Sequence, residues 1–471
     1  MPTADHPNIL FFFTDDQRFD TIGALGNTKI RTPNLDRLVA RGTAFTDAYI
    51  MGGSCGAVCM PSRAMLHTSR SLYHIHDMGR DVPADHAMLG ETLRAAGYDT
   101  FGTGKWHNGA AAYARSFSHG GEIFFGGMGD HWNVPACDFD PTGRYEANIR
   151  QTTDFHTQAV QRWTADHIEA GVHSTELFCD AAVDFLTERQ PGGNPFFAYV
   201  SFMAPHDPRT MPQEFLDMYP PERVDLPPNF LARHPFDNGE LRVRDEVLAS
   251  IPRQEAEVRQ HIGAYYAMIT HLDDHIGRVM KTVEDQGLLD DTIVVFAGDN
   301  GLAVGQHGLF GKQNLYEHSV RVPLVFAGPG VLEGQRRDAL AGLIDIFPTL
   351  CDLIDVEIPE SVEGESLQPC LDDDEASVRD TLLFAYRHFM RGVRDRSGNK
   401  LIETAAAGQC HTQLFDLGGD PYEKKNLADD PYHAETVLLM RDALTSWRQD
   451  WDDNQQGHGA DFWVQLDWAA P

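Results

Sequence analysis

The stretch NILFFFTDD, residues 8–16, decides the fold class. Its segment from Asn8 to Thr14 is almost entirely apolar and contains three consecutive phenylalanines, which is typical of a strand buried on both faces of a sheet. Two carboxylates, Asp15 and Asp16, follow directly. Open α/β sheets bind ligands just beyond the carboxyl ends of their strands. The stretch therefore predicts an α/β protein with a polar site at one edge of its sheet.

Further apolar runs with the same character occur along the chain. They are Phe196–Phe202, Thr292–Ala297, Val322–Ala327 and, more weakly, Tyr98–Gly102. Amphipathic helical patterns lie between these runs, at Asn34–Arg41, Glu91–Ala96 and most clearly Glu257–Gln286. Strands that alternate with helices predict a large, mostly parallel sheet flanked by helices.

The pattern changes after the acidic run Asp372–Glu375, which we interpret as a linker. Beyond it lie short alternating segments and then a helical pattern, namely Leu382–Tyr386, Gly392–Arg394, Lys400–Glu403, Gln413–Leu417 and Glu435–Trp447. We predict an N-terminal catalytic domain over residues 1–375 and a smaller C-terminal subdomain over 376–471, with a short antiparallel sheet and a helix. Trp463 and Trp468 are expected to pack back onto this subdomain.

The composition excludes several classes of protein. The 471 residues include 70 Asp and Glu against 38 Lys and Arg, a net charge of −32 that disfavours nucleic acid as a partner. No apolar run approaches the roughly 20 residues that span a bilayer, so no membrane partner is predicted. The start of the sequence shows no export signal, which predicts a cytoplasmic protein, or a periplasmic or secreted one if the sequence is trimmed. The seven cysteines predict mostly reduced, buried thiols.

Polar residues of a particular kind follow the predicted strands. Besides Asp15 and Asp16, they form the segments Gly298-Asp299-Asn300-Gly301, Pro205-His206-Asp207 and Gly104-Lys105-Trp106-His107. Three carboxylates and an amide oxygen are suited to Ca²⁺ or Mg²⁺ and poorly suited to Zn²⁺. Lys105, His107 and His206 would form an anion pocket beside this oxygen cage.

The segment Gly52–Arg70, GGSCGAVCMPSRAMLHTSR, is the most specific in the chain. Pro61 is tolerated in the first turn of a helix, so a helix is expected to begin near Ser62. This places Cys59 at the helix N-terminus, where the helix dipole and the free N–H groups favour an anion. Arg63 lies four residues after Cys59.

Cys59-Met60-Pro61-Ser62-Arg63 resembles the CxPxR signature of the type I sulfatases, which belong to the alkaline-phosphatase-like superfamily. Other blocks resemble the same family in the expected order, namely Asp15-Asp16-Gln17, Gly104-Lys105-Trp106-His107, Pro205-His206, Gly298-Asp299-Asn300-Gly301, His307-Gly308, Gly311-Lys312 with Tyr316-Glu317, and Leu414–Leu417 through Leu427. The resemblance covers nearly the whole chain. One departure is Thr68-Ser69-Arg70, where the family usually has Thr-Gly-Arg.

The resemblance implies an alkaline-phosphatase-like α/β fold, a sulfuric ester hydrolase and a role for each matching residue. A formylglycine-generating enzyme would oxidise Cys59 to formylglycine, whose hydrate attacks sulfur. The Ca²⁺ ion, or Mg²⁺, would be held by Asp15, Asp16, Asp299, Asn300 and the modified Cys59. Arg63, Lys105 and Lys312 would neutralise the sulfate. His206 would protonate the leaving alcohol, and His107 would orient and later help deprotonate the second hydroxyl of the hydrate.

Two other functions remain open at this point. One is a phosphonate monoester or phosphodiester hydrolase with the same fold and modified cysteine; those relatives tend to carry His where Asn300 stands. The other is an inactive relative that binds carbohydrate.

For the substrate, we expect a sulfated carbohydrate, such as an oligosaccharide. The aromatic-rich stretch Tyr113–His173 is expected to form loops over the site, because loops on a rigid scaffold commonly carry specificity. Arg209, His307 and the Arg387-His388 pair are candidate contacts to a second anionic group of the substrate. The sequence gives no indication of oligomeric state.

Overall fold

The chain folds around an eight-stranded sheet, seen in a computed structural model that describes residues 6–154, 156–454, 457–466 and 468. In chain order the strands are β1 (Asn8–Thr14), β2 (Gly42–Phe45), β3 (Ala48–Tyr49), β4 (Gly52–Gly53), β5 (Asp99–Lys105), β6 (His119–Phe124), β7 (Pro135–Ala136), β8 (Asn148–Asp154), β9 (Ala159–Thr164), β10 (His167–Ile168), β11 (Phe196–Ser201), β12 (Thr292–Gly298), β13 (Leu324–Ala327), β14 (Gln335–Arg337), β15 (Ala341–Gly342), β16 (Thr381–Tyr386), β17 (Met390–Asp395), β18 (Asn399–Ala406) and β19 (Gln409–Asp416).

The helices flank the sheets and connect their strands. In chain order they are α1 (Pro33–Ala40), α2 (Cys59–Thr68), α3 (Leu89–Ala95), α4 (Ala110–Ser116), α5 (Ser174–Thr187), α6 (Gln213–Leu216), α7 (Glu255–Asp285), α8 (Glu317–Val320), α9 (Ile346–Leu353), α10 (Gln368–Asp372), α11 (Ala434–Asp450) and α12 (Gly457–Trp463). None of the helices in the described part of the chain is long and apolar enough to cross a bilayer.

The large sheet has the strand order β14-β2-β13-β12-β1-β11-β5-β6. The block β12-β1-β11-β5-β6 is entirely parallel, whereas β13 runs antiparallel to both of its neighbours. The prediction of an α/β fold with a large, mostly parallel sheet is therefore confirmed. Strand β5 extends beyond the predicted Tyr98–Gly102, so that Lys105 is its last residue.

The central strand β1 is buried on both faces, as its composition predicts. Phe11 and Phe13 belong to a core that includes Leu66 of α2 and Phe347 of α9. Alternate residues, such as Phe12, pack on the other face in a core shared with α5 and α7. Successive side chains of a strand point to opposite faces, so a continuous apolar run is the sequence of a strand with helices on both sides.

The C-terminal subdomain has the expected architecture. Strands β16 to β19 form an antiparallel meander, and α11 packs on it through Val437, Met440 and Leu444. Trp463 is 3% exposed and Trp468 packs beside it, with ring centroids 6.1 Å apart, which confirms that this stretch packs in cis. The predicted division of the chain at residue 375 remains a prediction.

Strand β4 joins the C-terminal sheet although it lies early in the chain. Gly52 pairs with Ala385 of β16, parallel to it. The backbone of Gly52 has φ 102°, and a Cβ there would lie 2.1 Å from the Ala385 carbonyl oxygen. Only glycine fits such a close approach. The segment that leads to Cys59 is thereby fixed to the C-terminal subdomain.

The end of α2 explains the departure from the Thr-Gly-Arg pattern. Ser69 follows the helix with φ 51°, the left-handed conformation that favours glycine. Its hydroxyl donates to the Ile344 carbonyl at 2.5 Å and accepts the Gly364 amide N–H at 3.1 Å. These two hydrogen bonds offset the strain that a non-glycine residue meets in this conformation.

The stretch Tyr113–His173 is more regular than the predicted loops. It contains β6, the edge strand of the large sheet, and the antiparallel hairpin of β8 and β9. The prediction of loops alone is wrong, because the short polar segments in this stretch pair with each other rather than lying singly on the surface. Within the described residues no disulfide links any of the cysteines, Cys55 and Cys59 included, and all of them except Cys55 and Cys410 are buried.

A row of buried histidines is expected to make the fold sensitive to acid. The ring centroids of His131 and His173 are 5.1 Å apart, and those of His173 and His271 are 4.7 Å apart. Burial lowers the pKa of His131 to about 4, of His173 to about 2 and of His271 to about 3. The unfolded chain takes up protons below its histidine pKa of about 6.5, whereas the folded chain does not, so stability falls as the pH falls.

We expect His271→Phe to reduce this acid sensitivity. Lowering the pH from 7 to 5 is expected to reduce the free energy of unfolding by about 2 kcal/mol through His271 alone. In the variant, this part of the reduction should be absent. Urea unfolding at the two pH values measures the difference, with the exposed His156→Phe as the matched control. If the free energy of unfolding falls by the same amount between pH 7 and pH 5 in both variants and in the unsubstituted protein, the attribution to His271 is wrong.

Candidate active site

Carboxylates from two neighbouring strands lie side by side at the edge of the large sheet. Strand β1 continues into Asp15 and Asp16, and the backbone of Asp16 is left-handed, with φ 64°. Asp299 follows β12, and its amide N–H donates to the Thr14 carbonyl at 2.9 Å. The Oδ1 atom of Asp299 accepts the Asp16 amide N–H at 3.0 Å. These bonds tie the two strand ends together and leave all three carboxylates at most 2% exposed.

Helix α2 brings Cys59 and Arg63 to the same edge. The helix begins at Cys59, and Arg63 lies one turn later. The Arg63 guanidinium donates to Asp299 Oδ2 at 2.9 Å, to Ser201 Oγ at 2.6 Å and to the Lys105 carbonyl at 3.1 Å. Arg63 is 1% exposed. Its three contacts fix the guanidinium beside Asp299, so Arg63 holds the Asp299 carboxylate in position. Its contact with a sulfate remains a prediction.

Two lysines lie against the carboxylates. Lys105 Nζ pairs with Asp15 Oδ2 and lies 3.6 Å from Cys59 Sγ. Lys312 Nζ lies 2.5 Å from Asp16 Oδ1. Both lysines are less than 5% exposed. Their positive charges face the region between Cys59 and the carboxylates, where an anionic group would be held.

Two histidines face the same region. His107 Nδ1 is 3.5 Å from Cys59 Sγ. His206 Nδ1 donates to the Asp207 carbonyl at 2.7 Å, and its Nε2 lies 3.7 Å from Asp16 Oδ2. Since Nδ1 is occupied by the main chain, Nε2 is the His206 nitrogen that faces the site.

The electrostatics of the site favour a neutral thiol and neutral His107. Burial raises the pKa of the Cys59 thiol to about 11, although Lys105 and Lys312 oppose the shift. Burial, with Lys105 next in size, lowers the pKa of His107 well below its usual value. Burial and the neighbouring Asp15 raise the pKa of Asp299 to about 7. At neutral pH an unmodified Cys59 is therefore not a thiolate nucleophile.

The donor set fits a hard divalent cation. The Asp15 Oδ1 and Asn300 Oδ1 atoms are buried and have no hydrogen-bond partner among the described residues. Asn300 turns its Nδ2 to Asp16 Oδ1, at 2.7 Å. Ligand atoms of Asp15, Cys59 and Asp299 lie within 4.8 Å of one another. Buried carboxylates beside a like-charged neighbour are unfavourable, and a divalent cation relieves this repulsion, so these acidic groups could hold one.

Of the two candidate substrate contacts, His307 lies apart from this cluster, whereas Arg209 is close enough to Asp16 and Asp207 to interact electrostatically with both. Arg209 Nη1 bonds His261 Nδ1 at 3.2 Å, and its guanidinium lies over the Tyr265 ring. His307 is 7% exposed and stacks on Tyr316, with ring centroids 4.1 Å apart. The contacts of His307 are those of a packed core residue. For both residues, binding of substrate remains a prediction.

Sequence reasoning missed several residues that position the site. Ser62 Oγ donates to the Asp299 carbonyl at 2.5 Å, and Ser201 Oγ accepts from Arg63. His131 Nε2 donates to the His206 carbonyl at 3.0 Å. Ser62 lies within the CxPxR segment, so its position could have suggested a role. Ser201 and His131 could not be found, because their contacts depend on how distant segments pack.

The fold and the site at the sheet edge together define a hydrolase of the alkaline-phosphatase-like sulfatase class. A protein solved in complex with its substrate D-glucosamine-2-N,6-O-disulfate has this fold, with a TM-score of 0.72 and 23% identity over 96% of this chain and 99% of that one. A phosphonate monoester hydrolase of Agrobacterium radiobacter shares it too, with a TM-score of 0.72 and 21% identity over 94% and 96% of the two chains.

The chain belongs to the sulfatase family and is a sulfuric ester hydrolase. The family profile described as Sulfatase matches residues 7–356. A second profile, described as N-sulphoglucosamine sulphohydrolase, C-terminal, matches residues 305–450. An arylsulfatase of Clostridium perfringens is 30% identical over 465 residues, covering 93% of each chain. An N-acetylglucosamine-6-O-sulfatase of Bacteroides thetaiotaomicron is 25% identical over 517 aligned residues, covering 95% of this chain and 87% of the relative.

Proposed function

We propose that this sulfatase releases inorganic sulfate from a sulfated carbohydrate, with Cys59 converted to formylglycine and a Ca²⁺ ion at the sheet edge. The observation that carries the proposal is the position of Cys59. It lies at the start of α2, with Lys105 Nζ 3.6 Å and His107 Nδ1 3.5 Å from its Sγ. The carbohydrate substrate is supported by the relative named an N-acetylglucosamine-6-O-sulfatase.

The charges of the site suit a sulfate ester. Lys105 and Lys312 would bind the sulfate oxygens and stabilise the charge that moves onto them as the ester bond breaks. Both ammonium groups are buried beside carboxylates, so they are held in place before the substrate arrives. His107, kept neutral by burial, can accept a proton from a hydroxyl at position 59.

Two groups would complete the site. Asp15, Asp16, Asp299 and Asn300 would hold the Ca²⁺ ion, which supplies Lewis acidity. Formylglycine at position 59, present as its hydrate, supplies the nucleophilic oxygen that a buried neutral thiol cannot. Arg63 holds Asp299 in place through its bond at 2.9 Å.

His206 would protonate the leaving oxygen, and His206→Gln tests this role. A 4-nitrophenolate leaves without protonation, so we expect less than a tenfold fall in kcat/KM on 4-nitrophenyl sulfate. A sugar alkoxide needs the proton, so the fall on a carbohydrate sulfate is expected to be about 10²- to 10⁴-fold. Initial rates on both substrates measure the difference, with the half-buried His86→Gln as the control. Equal losses on both substrates would contradict the role of His206.

A phosphonate monoester or phosphodiester hydrolase is the second candidate, since one such enzyme shares the fold. Asn300 favours the sulfatase, because those relatives tend to carry His at this position. Rates on 4-nitrophenyl sulfate and on an aryl phosphodiester decide between the two. A kcat/KM that is higher on the phosphodiester than on every sulfate ester would replace the proposed function with the alternative.

A further inference from the structure

Three consecutive charged residues, Arg244, Asp245 and Glu246, lie in the segment that precedes α7. A run of charged residues is usually a solvated surface. Here the exposed fraction of the side chain falls along the run, from 43% for Arg244 to 16% for Asp245 and 4% for Glu246. The segment 244–246 therefore turns into the protein, where its side chains contact other parts of the chain.

Arg244 fixes the residue next to His206. Its guanidinium pairs with both carboxylate oxygens of Asp207, and the bond from Nη1 to Oδ1 is 2.8 Å long. A two-point pair of this kind fixes the orientation of the carboxylate as well as its position. The Asp207 carbonyl in turn accepts the His206 Nδ1–H at 2.7 Å. Arg244 thus helps to orient the histidine ring whose Nε2 faces the site.

Glu246 fixes the backbone that leads to Lys312. Its carboxylate accepts the Phe310 N–H at 3.0 Å through Oε2 and the Gly311 N–H at 2.8 Å through Oε1. Arg253 pairs with the same carboxylate, and both of these charged side chains are at most 4% exposed. A buried carboxylate with this many partners has little freedom to move, so the backbone before Lys312 is held in place.

Asp245 connects the segment to the loop before Cys59 through the side chain of Gln313. Asp245 Oδ2 accepts the Gln313 Nε2–H at 2.6 Å, and the same nitrogen donates to the Gly56 carbonyl at 2.9 Å. The Oε1 atom of Gln313 accepts the Lys312 amide N–H at 3.0 Å. One buried side chain therefore links the segment 244–246 both to the lysine and to the cysteine of the active site.

We propose that the segment 244–246 is a positioning element of the active site, which holds His206 through Arg244 and Lys312 through Glu246. The proposal rests on the sulfatase function proposed above. It assigns separate effects to the two ends of the segment: Arg244 supports protonation of the leaving oxygen, and Glu246 supports binding of the sulfate group. A misplacement of about 1 Å can cost about 10²-fold in rate, so residues that touch no substrate can control catalysis.

Arg244→Gln is expected to lower kcat/KM about tenfold on a carbohydrate sulfate and less than twofold on 4-nitrophenyl sulfate. The variant releases the Asp207 carboxylate, whose Oδ1 is 3.5 Å from His206 Nδ1 and can then draw the ring away from the carbonyl. In the His206→Gln background, Arg244→Gln should lower neither rate further, because the group that it positions is absent. Arg278→Gln is the matched control, since Arg278 is 44% exposed and pairs with Asp180 outside the site.

Glu246→Gln is expected to weaken the binding of inorganic sulfate about tenfold and to lower kcat/KM on both substrates by the same factor. Glutamine keeps the shape of the side chain, but it removes the ion pair with Arg253 and turns an NH₂ group towards a backbone N–H. The backbone before Lys312 is then no longer fixed. Calorimetry measures sulfate binding. Glu403→Gln is the matched control, because Glu403 is also buried and pairs with Arg441 in the C-terminal subdomain.

The two variants have to differ in kind for the proposal to hold. Equal losses on both substrates in Arg244→Gln, or an additional loss in the His206→Gln background, would overturn it. Sulfate binding in Glu246→Gln as tight as in Glu403→Gln would also overturn it. If Glu246→Gln does not fold, the half-exposed Arg244→Gln decides.

Failure of the proposed function has a different signature. In that case the unsubstituted protein hydrolyses no sulfate ester, and calorimetric binding of inorganic sulfate decides the positioning role alone. A tenfold weakening in Glu246→Gln, with unchanged binding in Glu403→Gln, supports the positioning role. Absence of sulfate binding in the unsubstituted protein refutes it.

Discussion

Replacing Cys59 with alanine is expected to lower kcat/KM on sulfate esters by at least about 10⁴-fold, or about 5.5 kcal/mol of transition-state stabilisation. The physical reason is that alanine at position 59 carries no oxygen to attack sulfur. The thiol itself is a poor substitute, because burial raises its pKa to about 11. Activity should therefore follow the fraction of chains in which Cys59 has been converted to the aldehyde. Kinetics and intact-peptide mass spectrometry on the same preparations measure the two quantities.

Cys179→Ala is the matched control for this experiment. Cys179 is also a buried free cysteine, but it lies in α5, away from the active site. Its replacement should lower stability by removing packed atoms and leave kcat/KM within about twofold. Fully active protein that contains only intact cysteine at position 59 would contradict the formylglycine proposal. Retention of activity by Cys59→Ala would contradict any role of this residue in the chemistry.

Asp299→Asn is expected to abolish the response to calcium and to lower activity by about 10³-fold. The Asp299 carboxylate accepts the Asp16 amide N–H through Oδ1 and the Arg63 Nε–H through Oδ2. Asparagine keeps the shape but removes the charge, so the buried Arg63 loses its nearer ionic partner and keeps only Asp15 Oδ2 at 3.9 Å, and the proposed cation would lose a ligand. Breaking a buried pair costs about 3–5 kcal/mol. Denaturant unfolding with and without Ca²⁺ separates this cost from calcium binding.

The calcium response gives a readout that does not depend on catalysis. At 100 times the dissociation constant, a bound ion adds about 2.7 kcal/mol to the free energy of unfolding. We expect this increment in the unsubstituted protein and in Asp47→Asn, and we expect none in Asp299→Asn. Asp47 is a suitable control because it is also buried and pairs with two arginines, Arg321 and Arg394, outside the site. A calcium increment that survives in Asp299→Asn would show that the ion binds elsewhere.

The strand-edge cluster was predictable from the sequence because of one geometric rule. Parallel strands point their carboxyl ends in one direction, so Asp15, Lys105, His206 and Asp299 had to meet if their strands were neighbours. The structure brings these residues together. Pro61 likewise indicated the start of α2, because proline fits only the first turn of a helix.

Contacts between segments that are distant in sequence could not be predicted. The support of Arg63 by Ser201 and of His206 by His131 depends on the final packing of separate strands and loops. The same holds for Arg387, whose positive charge suggested an anion site until the structure paired it with Glu240. The hairpin of β8 and β9 was missed because its strands are polar on both faces and lack an apolar pattern.

The pairing of β4 with β16 would set a time limit on the proposed oxidation of Cys59. The residues before Cys59 reach their final position only after residues 381–386 have been synthesised, because those residues form the partner strand. At typical rates of translation, this leaves roughly 20–60 s in which the cysteine segment is not yet docked. Cys59 is 3% exposed once the chain has folded. If Cys59 is converted to formylglycine as proposed above, the oxidising enzyme would therefore have to reach it during synthesis, or before β4 pairs with β16.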